Sequence, residues 1–246
     1  MVRVYLTGGL RFEGPDGWFD DGDLPGNQGR IAFAALVVER RALPRDTLAD
    51  IVWNGRLPAK WEGALSTIIS RTRGLIASTG LDPKDVLPTI GGTYAIVVPH
   101  DGWVDLEDAI RRLDRAEGAL RHDDLDLAVA DATAASATLR RPLLPGVESE
   151  WVEEHRRRHR DASYRCSTVL ARAWLRRADP GLAAINAETA VALDPIREVG
   201  HRLLVEAELA RGDVGAARRA LDRCRAVLDE ELGIEPSAAT LALFDG

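Results

Sequence analysis

The chain has 246 residues and a formal net charge of -7, with 46% hydrophobic and 29% charged residues, a globular balance that excludes wholesale disorder. Its longest unbroken apolar run, Ile31 to Val38, falls far short of the roughly 20 residues a membrane-crossing helix needs. The first residues, MVRVYLTGGLRFEG, lack the basic-then-apolar layout of a secretory signal, so the expected location is the cytoplasm with no membrane partner.

In chain order, the first half opens with β-type runs at Val2–Leu6 and Leu10–Glu13, a turn signal at Gly14–Gly17, then Trp18 and Phe19. From Arg30 the period becomes helical, with Ile31, Ala34, Ala35 and Val38 on one face. Pro44 and Asp46 open a second helix that runs through Leu48, Ile51 and Val52 to Trp53. A third, from about Lys60 to Ser78, places Leu65, Ile68, Ile69, Thr72, Leu75 and Ile76 on one face. Val86–Ile90 and Thr93–Val98 flank Gly91-Gly92 and read as a hairpin. Strands, three helices and a terminal hairpin are the order of a winged helix-turn-helix. Periodicity alone fits a ligand-free α+β domain equally well.

The second half is helical and repeats. An offset of 34 pairs Leu170 with Leu204, Ala173 with Ala207, Asp179 with Asp213, Gly181 with Gly215 and Ala183 with Ala217, which is the period of the tetratricopeptide helix-turn-helix. Gly181 and Gly215 are expected at the inter-helix turns, and Ala183 and Ala217 where paired helices approach. A weaker copy begins at Asp124, and an inserted element, Arg141–Arg160, separates it from the others. The predicted fold class is therefore mainly α with a small α+β part. It comprises a winged helix-turn-helix domain over 1–99 and an all-α tetratricopeptide-like domain over 100–246.

No catalytic constellation is present. The chain has no Walker A, HExxH or GxSxG sequence. The two cysteines, Cys166 and Cys224, read as small core residues. His155 and His159 are four apart, but Arg156, Arg157, Arg158 and Arg160 around them oppose a cation. The expectation is a non-enzyme without metal or cofactor. In that same stretch Glu153–Arg157 and Glu154–Arg158 are i,i+4 pairs of a solvated face, with Trp151 as a buried anchor. The sharper alternative is that the surplus Arg docks DNA, the first domain or a protein partner.

The charge distribution points elsewhere. Residues 1–100 hold 11 basic and 11 acidic side chains, so the rest of the chain carries the whole net charge. Between Trp53 and Ala77, Arg56, Lys60, Arg71 and Arg73 face a single acid, Glu62. The third helix turns Ser66, Thr67, Ser70, Arg71 and Arg73 outward or to its margins. Short hydrogen-bonding side chains permit close approach to base edges, and Arg reaches phosphates and guanine. An ordinary amphipathic helix with a polar face is the alternative.

The chain resembles the SARP family of bacterial transcriptional activators, which couple an OmpR-like winged helix to a bacterial transcriptional activation domain. The resemblance is carried by Asp50-Ile51-Val52-Trp53, by Leu65 to Arg73 (similar to a recognition helix L-x-x-x-V-S-R-L-R) and by Gly92-Thr93-Tyr94 at the wing. It continues through Val104-Asp105-Leu106, Pro142 to Gly146 with Glu150-Trp151-Val152, and the close Leu228 to Pro236.

The resemblance implies binding to direct repeats in double-stranded promoter DNA, as a dimer on DNA at the nucleoid, and activation through RNA polymerase holoenzyme. It marks Ser70, Arg71 and Arg73 as groove or phosphate contacts, Thr67 as a base-edge contact, and Thr93 and Tyr94 as wing contacts, beside Arg56 and Lys60. Two departures reduce the expected phosphate contacts. Ala95 stands where the wing pattern carries Arg, and Pro25-Gly26-Asn27-Gln28-Gly29-Arg30 lacks the usual Lys. With so neutral a first half, stable binding is expected to need tandem occupancy. The chain stops soon after Pro236, so the nucleotide-binding and sensor domains of longer relatives are not expected. Two other readings stay open: a protein-interaction adaptor with a degenerate winged helix, and a ligand sensor at Trp174 and Tyr164.

Overall fold

A computed structural model describes residues 1–244. Contacts divide the chain into two compact units that alternate along the sequence. One comprises Met1–Asp108 and Arg141–His159, the other Ala109–Arg140 and the segment from Arg160 onward.

In the first unit, three short strands form a meander because alternate residues are apolar. These are β1 (Arg3–Tyr5), β2 (Arg11–Glu13) and β3 (Trp18–Asp20). Register aligns Val4, Phe12 and Phe19 across the sheet, all fully buried. Phe12 and Phe19 stack at 5.1 Å, and both meet Phe33 edge-on at 5.9 and 5.6 Å. Phe33 belongs to helix α1 (Gly26–Glu39). The expectation of one apolar face on α1 is too modest. Every residue from Ile31 to Val37 is buried, while Val38 is only half-buried, because α1 is the central helix of this core.

Strand β4 (Leu43–Pro44) leads into α2 (Arg45–Trp53), which ends at Asn54 in a left-handed conformation. Helix α3 (Trp61–Ser78) buries Leu65, Ile68, Ile69, Thr72 and Ile76, close to the predicted face. Its C-terminal end is pinned to the β2–β3 turn, where the Asp16 amide donates to the Thr79 carbonyl at 3.0 Å. Gly80 follows at φ +83°, and a Cβ there would lie 2.1 Å from the Asp16 carboxylate, so only glycine fits.

The hairpin is shorter than its apolar runs suggest. Pro83 and the Asp82 cap draw Val86 into a helical turn, α4 (Pro83–Val86), and the strand ladder is confined to β5 (Thr89–Ile90) and β6 (Thr93–Tyr94), with one further backbone bond from the Val97 amide to the Val86 carbonyl (2.8 Å). Strand β6 also pairs with β4, giving a three-stranded sheet in the order β4-β6-β5.

A last strand, β7 (Trp103–Val104), absent from the sequence reading, runs parallel to β1. It delivers Asp105, the first residue of α5 (Asp105–Arg121), under the end of β1. The fully buried Asp105 carboxylate accepts from the Leu6 amide (2.9 Å), the Thr7 amide (3.1 Å), the Thr7 hydroxyl (2.7 Å) and the Leu106 amide (2.7 Å).

The inserted element also packs in this unit. Thr7 bridges Leu143, the Gly8 amide donates to Pro142 and the Leu144 amide to Leu6. Arg156 of α7 (Glu150–Arg176) donates to the Leu143 carbonyl (3.0 Å) and the Leu144 carbonyl (2.6 Å). Asn54 accepts from Ser149 and from the Glu150 amide at the start of α7, and the Trp151 indole donates to Glu39. Glu153 pairs with Arg156 rather than with Arg157, because Arg156 is held by those carbonyls; the Glu154–Arg158 pair forms as expected.

The second unit is built on one turn used three times. Helices α6 (Leu125–Leu139), α8 (Pro180–Leu193) and α10 (Val214–Leu232) each follow a left-handed residue, Asp123, Ala178 or Gly212. An aspartate comes next. The side chains of Asp124, Asp179 and Asp213 accept from Leu127, Leu182 and Ala216, capping one orphan amide of each helix. The alanine four residues on (Ala128, Ala183, Ala217) is fully buried in each copy. Gly181 and Gly215 are therefore inside the first helical turn, not at the inter-helix turn as expected. Helix α9 (Glu198–Ala210) packs between α8 and α10.

Candidate nucleic-acid interface

Helix α3 is held by its apolar face, by its contacts with α1 and α2 and by the Asp16–Thr79 bond. The face left over carries Ser66, Thr67, Ser70 and Arg71, all exposed. They fall at i, i+1, i+4 and i+5, a single ridge of an α-helix. Gly63 and Gly74 lie one turn before and one turn after, and a Cβ at either would meet nothing within 4 Å. The ridge is thus open at both ends. Within it, the Thr67 hydroxyl donates to the Gly63 carbonyl (2.9 Å), leaving its oxygen lone pairs outward.

The predicted residues divide into three groups. Arg56, Lys60 and Arg71 are exposed and form no ion pair among the described residues. Lys60 immediately precedes α3, and Arg56 follows the left-handed pair Asn54-Gly55 that ends α2. Arg73 is half-buried and already engaged: its Nε and Nη2 donate to the Leu87 carbonyl (2.9 and 2.7 Å), and Nη2 also donates to the Thr89 hydroxyl (2.7 Å). At the wing, Thr93 is half-buried with its hydroxyl bonded to the Ile90 carbonyl. Tyr94 is only 6% exposed. It alternates inward from Thr93 and pairs with Leu43, so the surface placement expected for it is not found. On the wing Ile90 is exposed at 71%, and Thr89 and Val97 are exposed as well.

One member of this face escaped the sequence reading. Arg45, at the first position of α2, donates from Nη2 to the Ser66 hydroxyl (3.1 Å), while its Nε is buried without a hydrogen-bond partner. The available signal was its place just after Pro44, since the start of the second helix in such a motif lies beside the third. From Arg45 to Arg73 there are five basic residues and three acids. The surplus is modest, and the wing from Pro88 to Pro99 adds no charge. A ridge of hydroxyls with flanking guanidinium groups presents donors and acceptors to a groove-shaped polar surface.

Other predicted chemistry is occupied by structure. The His155 ring packs on Trp151 at 4.0 Å and bonds its carbonyl. Tyr164 is buried, accepts from the Gly200 amide (3.1 Å) and lies beneath the Arg197 guanidinium at 3.9 Å. No described helix is long and apolar enough to cross a membrane.

Comparison with known proteins places the chain in a family. The bacterial transcriptional activator domain matches residues 104–245. Transcriptional regulatory protein MoaR1 of Mycobacterium tuberculosis is 24% identical over 217 residues, 87% of this chain and 70% of that protein, and MoaR1 of Mycobacterium bovis matches to the same extent. Among solved structures, Mycobacterium tuberculosis EmbR, in complex with a low affinity phosphopeptide, superposes with a TM-score of 0.87 at 22% identity. That match covers 99% of this chain and 64% of the EmbR chain, so the chain spans just under two thirds of EmbR's length. The likeness to EmbR shows a shared fold, a winged helix with tetratricopeptide-like helices. From its activator domain, its similarity to MoaR1 and this fold, the chain belongs to the SARP family of bacterial transcriptional activators.

Proposed function

We propose that the chain is a non-enzymatic, sequence-specific DNA-binding activator, with residues 1–99 as its DNA-binding domain and 100–246 as its activation domain. It acts in the cytoplasm on promoter direct repeats and recruits RNA polymerase holoenzyme. The observation that carries this reading is the open ridge Ser66–Thr67–Ser70–Arg71 on a helix whose other face is buried. Thr67 and Ser70 read base edges, Arg71 reaches guanine or phosphate, and Arg56, Lys60 and Thr93 contact the backbone. Arg45 supports Ser66 from behind. Because the first half is charge-neutral, a single protomer binds weakly, and a second protomer on the adjacent repeat supplies the avidity.

Selection from genomic fragments with the purified chain tests this reading. It is expected to return an enriched direct repeat whose affinity falls steeply with salt. Arg71→Ala should then weaken binding to that repeat by about 1–3 kcal/mol. If no repeat is enriched, the adaptor reading replaces this one. If a repeat is recovered and Arg71→Ala binds it as tightly as the parent chain, the ridge is not the contact surface.

A further inference from the structure

We propose that Arg73 is a positioning residue, a strut that fixes the wing to the recognition helix, and not a phosphate contact. The inference rests on the DNA-binding reading above and adds to it a division of labour between two arginines on one helix.

The wing is thinly held: beyond its short ladder, one backbone bond ties its base, from the Val97 amide to the Val86 carbonyl (2.8 Å). Its strands β5 and β6 have two residues each, and hairpins so short are not stable alone in water. The tip consists of Gly91 and Gly92, both at positive φ (+58° and +80°), which makes the turn but does not stiffen it. On one side β6 leans on β4, where one of the two paired residues, Pro44, has no amide to give. On the other side β5 is the edge of its sheet. Arg73 supports that edge. Its guanidinium donates twice to the Leu87 carbonyl, just before β5, and once to the Thr89 hydroxyl, within it. A planar fork on two acceptors defines a direction as well as a distance.

Electrostatics makes this job separable from phosphate binding. The wing carries no charged residue from Pro88 to Pro99, so moving it releases no counterions. A lost phosphate contact lowers the slope of log affinity against log salt by about 0.9, as expected for Arg71. A lost strut lowers affinity and leaves that slope unchanged. Lysine separates the two roles again: it serves as a point charge at a phosphate but cannot reproduce the fork.

The experiment uses the full chain, the duplex recovered by selection, and the variants Arg73→Ala, Arg73→Lys and Thr89→Val. Both Arg73 variants are expected to weaken binding about tenfold, equivalent to about 1.4 kcal/mol, with the parent salt slope, and Thr89→Val by a smaller factor in the same direction. Without DNA, both Arg73 variants should speed amide exchange over 89–94. Arg73→Lys binding like the parent chain, or Arg73→Ala lowering the slope as Arg71→Ala does, would overturn the proposal. If the parent chain selects no DNA, the functional reading fails by itself, and unchanged exchange over 89–94 in Arg73→Lys would separately refute the strut.

Discussion

Asp105→Ala isolates the most demanding polar contact in the first unit. The carboxylate is fully buried and accepts from three donors at the end of β1 and from the Leu106 amide. After truncation the Thr7 hydroxyl can turn to another acceptor, but the amides of Leu6 and Thr7 stay buried, at residues 0% and 2% exposed. An unsatisfied buried donor costs about 1–3 kcal/mol. Two such amides, with partial relaxation and the freed Leu106 amide, amount to about 3–5 kcal/mol. Asp105→Asn keeps one acceptor oxygen but turns an amide group toward the Thr7 donors, so it should recover only part of the loss. Urea unfolding is the assay, followed by the fluorescence of the chain's six tryptophans, among them Trp103, which pairs with Arg3 in the same sheet. The midpoint should fall with the denaturant slope unchanged. A loss below about 1 kcal/mol for Asp105→Ala would show that β1 and α5 do not depend on this junction.

Three further outcomes are expected in the second unit. The side chain of Asp131 is 6% exposed and bonds Arg115 and Arg112, and the Arg115 hydrogen bond, above all, depresses its pKa. Its stabilisation is therefore complete above the ordinary carboxylate range near 4 and is lost as pH falls through the depressed folded value. Asp131→Asn should cost about 1–3 kcal/mol at neutral pH, a gap that closes on acidification; a pH-independent gap would contradict the pairing. Replacing Asp124, Asp179 or Asp213 by Ala should each cost about 1 kcal/mol in thermal unfolding, with similar values at all three, because the turn is the same. Burial pushes the thiol of Cys166 up to about 12 and that of Cys224 to about 11. Both should resist a thiol reagent at pH 8 until the chain unfolds, and rapid labelling of either would place it outside the core.

Much of the architecture was legible because it is written in local periods. The apolar stripe of α3 and the polar ridge opposite follow from a spacing of 3.6 residues, and the structure keeps both. The 34-residue offset anticipated the repeated turns, since Asp179 and Asp213 recur where a cap is needed. Less legible were the ends of elements. The wing strands were overestimated because Val86 and Val97 have β-type side chains, yet Pro83 and Asp82 favour a helical turn at Val86. The resemblance marks Tyr94 as a wing contact, whereas strand alternation beside Leu43 turns it inward.

What the sequence alone determined is helices α1, α2 and α3, the buried face of α3 and the ridge opposite it, because each depends on residues within one or two turns of one another. Tertiary structure alone decided where Arg73 points, how Asp105 joins a strand 99 positions away, and that the stretch from Arg141 to His159 packs with the first unit. Those outcomes depend on which distant carbonyl or amide is left without a partner when the chain closes. Local periodicity does not encode that.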